Sequence, residues 1–221
     1  MEEADRFRFI CATLADKGET VLFRTYKPPS DCRSMSEIGN KIKHDKVTIK
    51  EACRATSAAP TWLPDIWIQK LRFWDGGLLN NNPIDQVWDA RYDLDIGRTE
   101  AAASGIKPDI SCVVSIGTSY TKKPEGNSFY HFIDTMKTVA GLATNTEAKH
   151  WDFESNNFRR NRRLPKDKQT KYFRFDAVTP EKIYLDDYRQ MEQLETWTDD
   201  YLNQPEVASA IDKCATLLAR P

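Results

Sequence analysis

Apolar and polar positions alternate along "RFRFICATL", residues 6 to 14, with Phe7, Phe9 and Cys11 on one side and Ile10 on the other. A period of two predicts a strand. A polar turn around Lys17 and Gly18 leads into "TVLFRTY", a second strand, so the chain opens on what reads as the middle of a sheet. Beyond the loop "KPPSDCRS" the period changes. In "VTIKEACRATSAAP", residues 47 to 60, Ile49, Ala52, Cys53 and Ser57 fall on one narrow helical face of mostly small residues, and Pro60 ends the helix. Thr48 and Glu51 have the spacing of a capping box, in which each side chain satisfies an N–H near the other.

The stretch "RFWDGGLLNNNP", residues 72 to 83, predicts a strand that stops at Asp75, a turn through Gly76 and Gly77, and then a helix. Asn82 is placed to cap that helix, Pro83 suits its first position, and Ile84, Val87, Trp88 and Tyr92 recur near helical spacing. "DISCVVSIGTS", residues 109 to 119, is a β-branched run ending at Gly117 and predicts a buried strand. The linker "YTKKPEGN" precedes a helical pattern carried by Phe129, Phe132, Ile133, Met136 and Val139. A last strand, "KYFRFDAV", is followed by helices around residues 189–203 and 205–219, the second with Val207, Ile211, Cys214 and Leu218 on one face. Strands alternating with helices predict an α/β fold with a mainly parallel sheet covered on both faces.

Asp75 has two readings at this point. It either holds the turn through its own backbone, as Asp often does, or is presented at the carboxyl end of a strand, where ligands and catalytic groups collect in open α/β sheets. Trp62, Trp67 and Phe73 around it likewise read either as core or as the lining of an apolar groove.

Composition narrows the classes. With 221 residues, 40% of them hydrophobic, the chain is long enough for one domain with a real core. The 32 basic residues balance 33 acidic ones, and a net charge of −1 gives no global attraction to nucleic acid or anionic membrane. Charge is concentrated only in "FRRNRRLPKDKQTK", where Arg159, Arg160, Arg162, Arg163, Lys166, Lys168 and Lys171 are opposed by Asp167 alone. That run reads as a solvated loop, as a contact for anionic lipid headgroups, or, least favoured, as a nucleic-acid patch. Cys11, Cys32, Cys53, Cys112 and Cys214 contain no CxxC pair and read as buried apolar residues of a reducing compartment. No apolar run approaches the roughly 20 residues that span a bilayer, and "MEEADRFRF" lacks the regions of a signal peptide. The expectation is a cytoplasmic protein, with at most peripheral contact to membranes.

Taken in order and spacing, "RATSAAPTW", "FWDGGLLNNNP" and "VVSIGTS" resemble the patatin-like phospholipase family. The resemblance covers most of the chain, and the motifs together are specific where each alone is weak. It implies a three-layer α/β/α fold, of which residues 1–221 form the C-terminal part of one domain, with core motifs at 48–119 and a helical tail at 187–221. It also implies lipid acyl hydrolysis by a serine–aspartate dyad without metal or cofactor. The family's DG[AG] motif falls on Asp75, Gly76 and Gly77, which makes Asp75 the proton acceptor. His44, His131 and His150 then need no catalytic role, and Ser57 with its neighbours supplies shape near the site.

Two family parts are absent from these residues: the glycine-rich oxyanion loop and the Gly-x-Ser-x-Gly elbow. Ser119 follows Gly117-Thr118 without a second glycine, Ser104 lacks the first, and Ser57 lies in a helix. The expectation is therefore an inactive polypeptide on its own. Either the serine half is supplied from sequence upstream of Met1 or from a separate chain, or the protein is a catalytically silent remnant or lipid-binding module. Its partners would be a lipid substrate or membrane surface, weakly held, and not nucleic acid.

Overall fold

The computed structural model describes residues 8–26, 42–60, 62–93, 110–121, 146–181, 183 and 187–219. The chain divides into two compact units, residues 1–108 with 131–149 and residues 109–130 with 150–221. The helical pattern from Phe129 to Val139 lies outside the described residues, as do Cys32, Ser104 and His131.

The first unit is built on a four-stranded sheet of β1 (Phe9–Leu14), β2 (Glu19–Arg24), β3 (Ile66–Ile68) and β4 (Leu71–Asp75) in the order β2-β1-β4-β3. Every pairing in it is antiparallel. The parallel arrangement expected from the alternation of elements is not what these strands adopt, and for β1–β2 and β3–β4 the reason is the length of their links. Residues 15–18 join β1 to β2 and residues 69–70 join β3 to β4, and links this short can only return the chain antiparallel. Gln69 and Lys70 both have positive φ, 51° and 68°, the backbone of a two-residue hairpin turn made without the usual Asn-Gly.

One face of this sheet carries the core. Ala12, Leu14, Val21, Phe23, Ile68 and Phe73 pack with Ala52 and Ala55 of α1 (Ile49–Thr56), and Phe73 is wholly buried. The capping box forms as expected: Thr48 Oγ1 accepts from the Glu51 N–H at 3.2 Å, and the Thr48 N–H donates to the Glu51 carboxylate at 2.8 Å. The Thr48 N–H, joined by the Thr48 hydroxyl donating to the same carboxylate oxygen at 2.8 Å, holds the Glu51 carboxyl below its ordinary range. The buried face of α1 differs from the one expected. Ile49 is 83% exposed and Cys53 is exposed, whereas Ala52 and Ala55 meet the sheet. On the other face of the sheet, Asn80 at the end of α2 (Gly77–Asn80) donates to Thr20 Oγ1 at 2.7 Å. Arg24, Tyr26 and Asp93 close the β2 edge: Arg24 Nε is 3.1 Å from the buried Asp93 carboxylate, and the Tyr26 hydroxyl donates to it at 2.9 Å. Burial, with that bond, pushes the Tyr26 phenol up to about 12.

In the second unit, β5 (Cys112–Ile116) pairs in parallel with β7 (Lys171–Phe175), and the short β6 (Tyr120–Thr121) pairs in parallel with β8 (Val178–Thr179). The helices are α4 (Thr146–Asn161, whose first turn counts with the first unit), α5 (Met191–Leu202) and α6 (Pro205–Leu218). In α6 Cys214 is buried, while Ile211 and Leu218 are exposed at 36% and 64%, so the inward face is narrower than the periodicity suggests. The α/β class holds, and none of the described helices is long and apolar enough to cross a membrane.

The cysteines are not uniformly buried. Cys11 and Cys214 are buried, Cys112 is partly covered and Cys53 is exposed. Burial pushes both Cys11 and Cys112 up to about 11, Cys112 also through its neighbour Cys214. Since the thiolate is the nucleophile, their reactive fraction near neutral pH is on the order of 10⁻³ or less. Iodoacetamide at pH 7.5 should therefore alkylate Cys53 first and leave Cys11 and Cys112 intact until the protein unfolds. Peptide mass mapping reads this out, and equal labelling of the three would contradict the burial described here.

Candidate active site

Asp75 closes β4, and the segment after α1 is what holds it there. The Asp75 N–H donates to the Ala58 carbonyl at 2.9 Å, and the Gly76 N–H donates to the Thr56 carbonyl at 3.3 Å. From β1, Thr13 Oγ1 donates to the Asp75 carbonyl at 2.8 Å, and Ala12 stands opposite Asp75 in register. "RATSAAP" and "DGG" are thus two sides of one construction, and Thr13 and Ala58 are participants that sequence reading did not single out. Ser57 gives its backbone position rather than its hydroxyl, which turns back to the Cys53 carbonyl at 2.9 Å.

The two glycines are required for different reasons. Gly76 lies against β1 so tightly that a Cβ there would sit 2.1 Å from the Cys11 carbonyl oxygen. A Cβ on Gly77 would stand 2.9 Å from Asp75 Oδ1, because the Gly77 N–H donates to that oxygen at 2.5 Å. One carboxylate oxygen therefore holds the turn, as one of the two readings of Asp75 required. Among the described residues the second oxygen, Oδ2, accepts no hydrogen bond, so a turn role and a role as proton acceptor are compatible on one side chain.

The asparagine run does other work than capping. Pro83 rather than Asn82 occupies the cap of α3 (Ile84–Ala90), and it makes no side-chain cap bond. Asn82 is buried, its Nδ2 donating to the Thr146 carbonyl at 3.3 Å. Together with Asn80 on Thr20 it ties the turn to its own unit at two points. Lys149, paired with Asp85 at 2.8 Å, lies close enough to act on Cys11, though burial outweighs it there. Of the three aromatic residues flanking the turn, Phe73 is core, while Trp62 and Trp67 are 54% and 61% exposed and lie outside the core.

The SIGT strand end is built by a second aspartate. Gly117 runs against the Asp176 carboxylate, where a Cβ would meet Oδ1 at 2.1 Å. Ser119, at a φ of 82°, donates its N–H to the same oxygen at 2.9 Å, and Arg174 pairs with Asp176 while reaching Ser115 Oγ at 2.9 Å. The Asp176 carboxylate is thus taken up by the Arg174 guanidinium and by the Ser119 amide, and it is the Ser119 N–H rather than its hydroxyl that meets it. An open cavity of about 180 Å³ adjoins this loop, between Ile116, Phe175, Leu194 and Tyr201. His150 Nδ1 lies 3.1 Å from the Tyr172 hydroxyl. Among the described residues no cluster of three His, Cys, Asp or Glu side chains could hold a metal ion.

The segment that spans the capping box, "RATSAAP", the Asp-Gly-Gly turn and the asparagine run is where the likeness to a known family lies. Residues 35–88 match the patatin-like phospholipases. Over most of its length the chain is 30% identical, across 202 residues, to the calcium-independent phospholipase A2-gamma of Oryctolagus cuniculus, covering 88% of this chain and 22% of that protein. It is 29% identical over 216 residues to the Rattus norvegicus protein of the same name, covering 95% of this chain and 24% of that protein. The Homo sapiens protein is 29% identical over 174 residues, 77% of this chain and 19% of its own length. The chain thus spans about a quarter or less of the length of these relatives. The patatin-like resemblance expected from the motifs is borne out, and with it the α/β class.

Proposed function

We propose that this chain carries the aspartate half of a lipid acyl hydrolase, with Asp75 as general base to a serine that these 221 residues do not contain in an elbow frame. The single observation behind this reading is the state of the Asp75 carboxylate. It stands at a strand end, one oxygen fixed by Gly77 and the other without a partner among the described residues. The names of the relatives supply the substrate class, an ester of a phospholipid.

In this reading a serine hydroxyl brought within about 2.6–3.2 Å of Oδ2 gives its proton to Asp75 as its oxygen attacks the ester carbonyl. The tetrahedral intermediate collapses, the lipid alcohol departs with the proton from Asp75, and an acyl-serine remains. Water then repeats the sequence: it loses a proton to Asp75 as it attacks the acyl-serine, and Asp75 returns that proton to the serine oxygen as the fatty acid leaves. Gly76 and Gly77 hold the base in place, and no metal or cofactor takes part. The 221-residue polypeptide alone lacks nucleophile and oxyanion donors, and losing even one such donor costs a factor of about 10² to 10³. It should show no ester hydrolysis above background.

The deciding experiment is the intact mass of the native polypeptide after reaction with a serine-directed fluorophosphonate. The expected result is a species heavier than this 25.4 kDa chain bearing one label. An unlabelled species of this chain's own mass would sink the hydrolase reading and leave a silent, lipid-binding remnant.

A further inference from the structure

We propose that the C-terminal end of α4 and the turn beyond it form a docking surface for the anionic face of a lipid bilayer. The inference deepens the hydrolase reading and rests on it only for the choice of lipid as partner. Helix α4 shows two of its aromatic residues to solvent, Trp151 at 58% and Phe158 at 63% exposed, while Phe153 and Asn157 face inward. Positions 151, 158 and 162 are seven and eleven residues apart and share one side of a helix. The Arg162 N–H donates to the Phe158 carbonyl at 3.1 Å, which continues the helical course by a residue, and its guanidinium lies 6.0 Å from the Phe158 ring centre.

Beside Arg162, which lies by the Phe158 ring, Arg159, Arg163 and Lys166 follow Phe158 closely in the chain, and all four are exposed and none ion-paired among the described residues. Cations in the last turn of a helix favour its dipole, which accounts for Arg159 but not for Lys166, beyond Pro165. Nor is the turn a loose solvated run. Asn161 Nδ2 donates to the Thr170 carbonyl at 2.8 Å, and the Thr170 N–H donates back to Asn161 Oδ1 at 3.1 Å. Gln169 Nε2 donates to the Asn161 and Leu164 carbonyls at 3.1 and 3.2 Å. Polar side chains are thus used to pin the backbone while the cations are left exposed, close in the chain to an exposed aromatic ring.

An exposed aromatic ring with a guanidinium beside it and three further cations close by in the chain is what an anionic interface attracts. Asp152 and Glu154 flank Trp151, about 10 Å farther along the axis at 1.5 Å per residue, so Phe158 enters deepest and Trp151 stays at the rim. A nucleic acid would be held by the same cations but would gain little from the Phe158 ring, which has no ring contact with another aromatic among the described residues.

The test is co-sedimentation of the chain with phosphatidylcholine vesicles, with and without phosphatidylserine. Wild type should bind only the anionic vesicles and be released by salt. Arg159→Gln/Arg162→Gln/Arg163→Gln should bind about a hundredfold more weakly, on the order of fivefold per arginine. Phe158→Ala should lose more than Trp151→Ala, with unchanged circular dichroism in each case. Equal binding to both vesicles, no binding to either, indifference to the arginine changes, or tighter retention on single-stranded nucleic acid would overturn the proposal. Asp75→Asn should bind as wild type does, so failure of the hydrolase reading and failure of the docking surface are read separately.

Discussion

In an enzyme that contains the serine, Asp75→Asn should lower kcat by about 10²–10⁴-fold, the contribution of a positioned general base, while KM changes little. The substitution is chosen for what it keeps. Asparagine presents an oxygen where Asp75 Oδ1 accepts the Gly77 N–H at 2.5 Å, so the turn retains its bond. What it replaces is the second oxygen, by an amide that cannot take a proton. Stability should fall by no more than about 1 kcal/mol, the typical net worth of one hydrogen bond. Thermal unfolding measured beside kcat separates the roles. If Asp75 were only a turn residue, Asp75→Asn would leave hydrolysis at wild-type rate, and the dyad assignment would be wrong.

The ease with which Asp75 was singled out, and the difficulty of assigning it, have one cause. Local signals in the chain are strong where the partners are neighbours. The capping box of Thr48 and Glu51 joins residues three apart, and the Asx bond from Gly77 joins residues two apart. Both are legible from the sequence because no distant part of the fold is needed to make them. β1 and β2 were legible for a related reason, since their alternation and the turn at Gly18, φ 63°, lie in one continuous run.

Distant partners leave no such trace. Nothing in "RFICATL" announces that Thr13 will bond to the Asp75 carbonyl, 62 residues away, or that Ala58 will receive the Asp75 N–H. The face of α1 was misread because the residues that meet the sheet, Ala52 and Ala55, are too small to mark a hydrophobic side, while Ile49 dominates the pattern and remains in solvent. Asn82 was misread for the complementary reason. An asparagine before a proline has the chemistry of a helix cap, its side-chain oxygen accepting a backbone N–H, but the buried Asn82 instead donates its Nδ2 to the Thr146 carbonyl. The antiparallel sheet was concealed by the habit of reading alternating elements as crossovers, although the four-residue and two-residue links that exclude a crossover were visible in the chain.

Gly76→Ala should be among the most damaging single changes in the first unit, though simple propensity argues the opposite. The backbone there is helical, φ −64° and ψ −28°, where alanine is intrinsically preferred over glycine by about 1 kcal/mol. A methyl group would nevertheless sit 2.1 Å from the Cys11 oxygen and 2.7 Å from its carbonyl carbon. Neither side can yield cheaply, because β1 and β4 are paired through Ala12 and Asp75 and the Thr13 hydroxyl clasps the Asp75 carbonyl. The cost should reach or exceed the upper end of the about 1–3 kcal/mol range for overpacking, a fall of roughly 6–12 °C in Tm at about 2–4 °C per kcal/mol for a chain of this size. Gly18→Ala is the control: its φ is +63° but a Cβ meets nothing within 4 Å, so it should lose only about 1–2 kcal/mol to the left-handed backbone. Were Gly76→Ala as stable as Gly18→Ala, the turn would not lie on β1 as described. The clash also bears on function, since any relief must move either Cys11 or the strand end that presents Asp75, and a displacement near 1 Å at a catalytic base can cost about 10²-fold in rate.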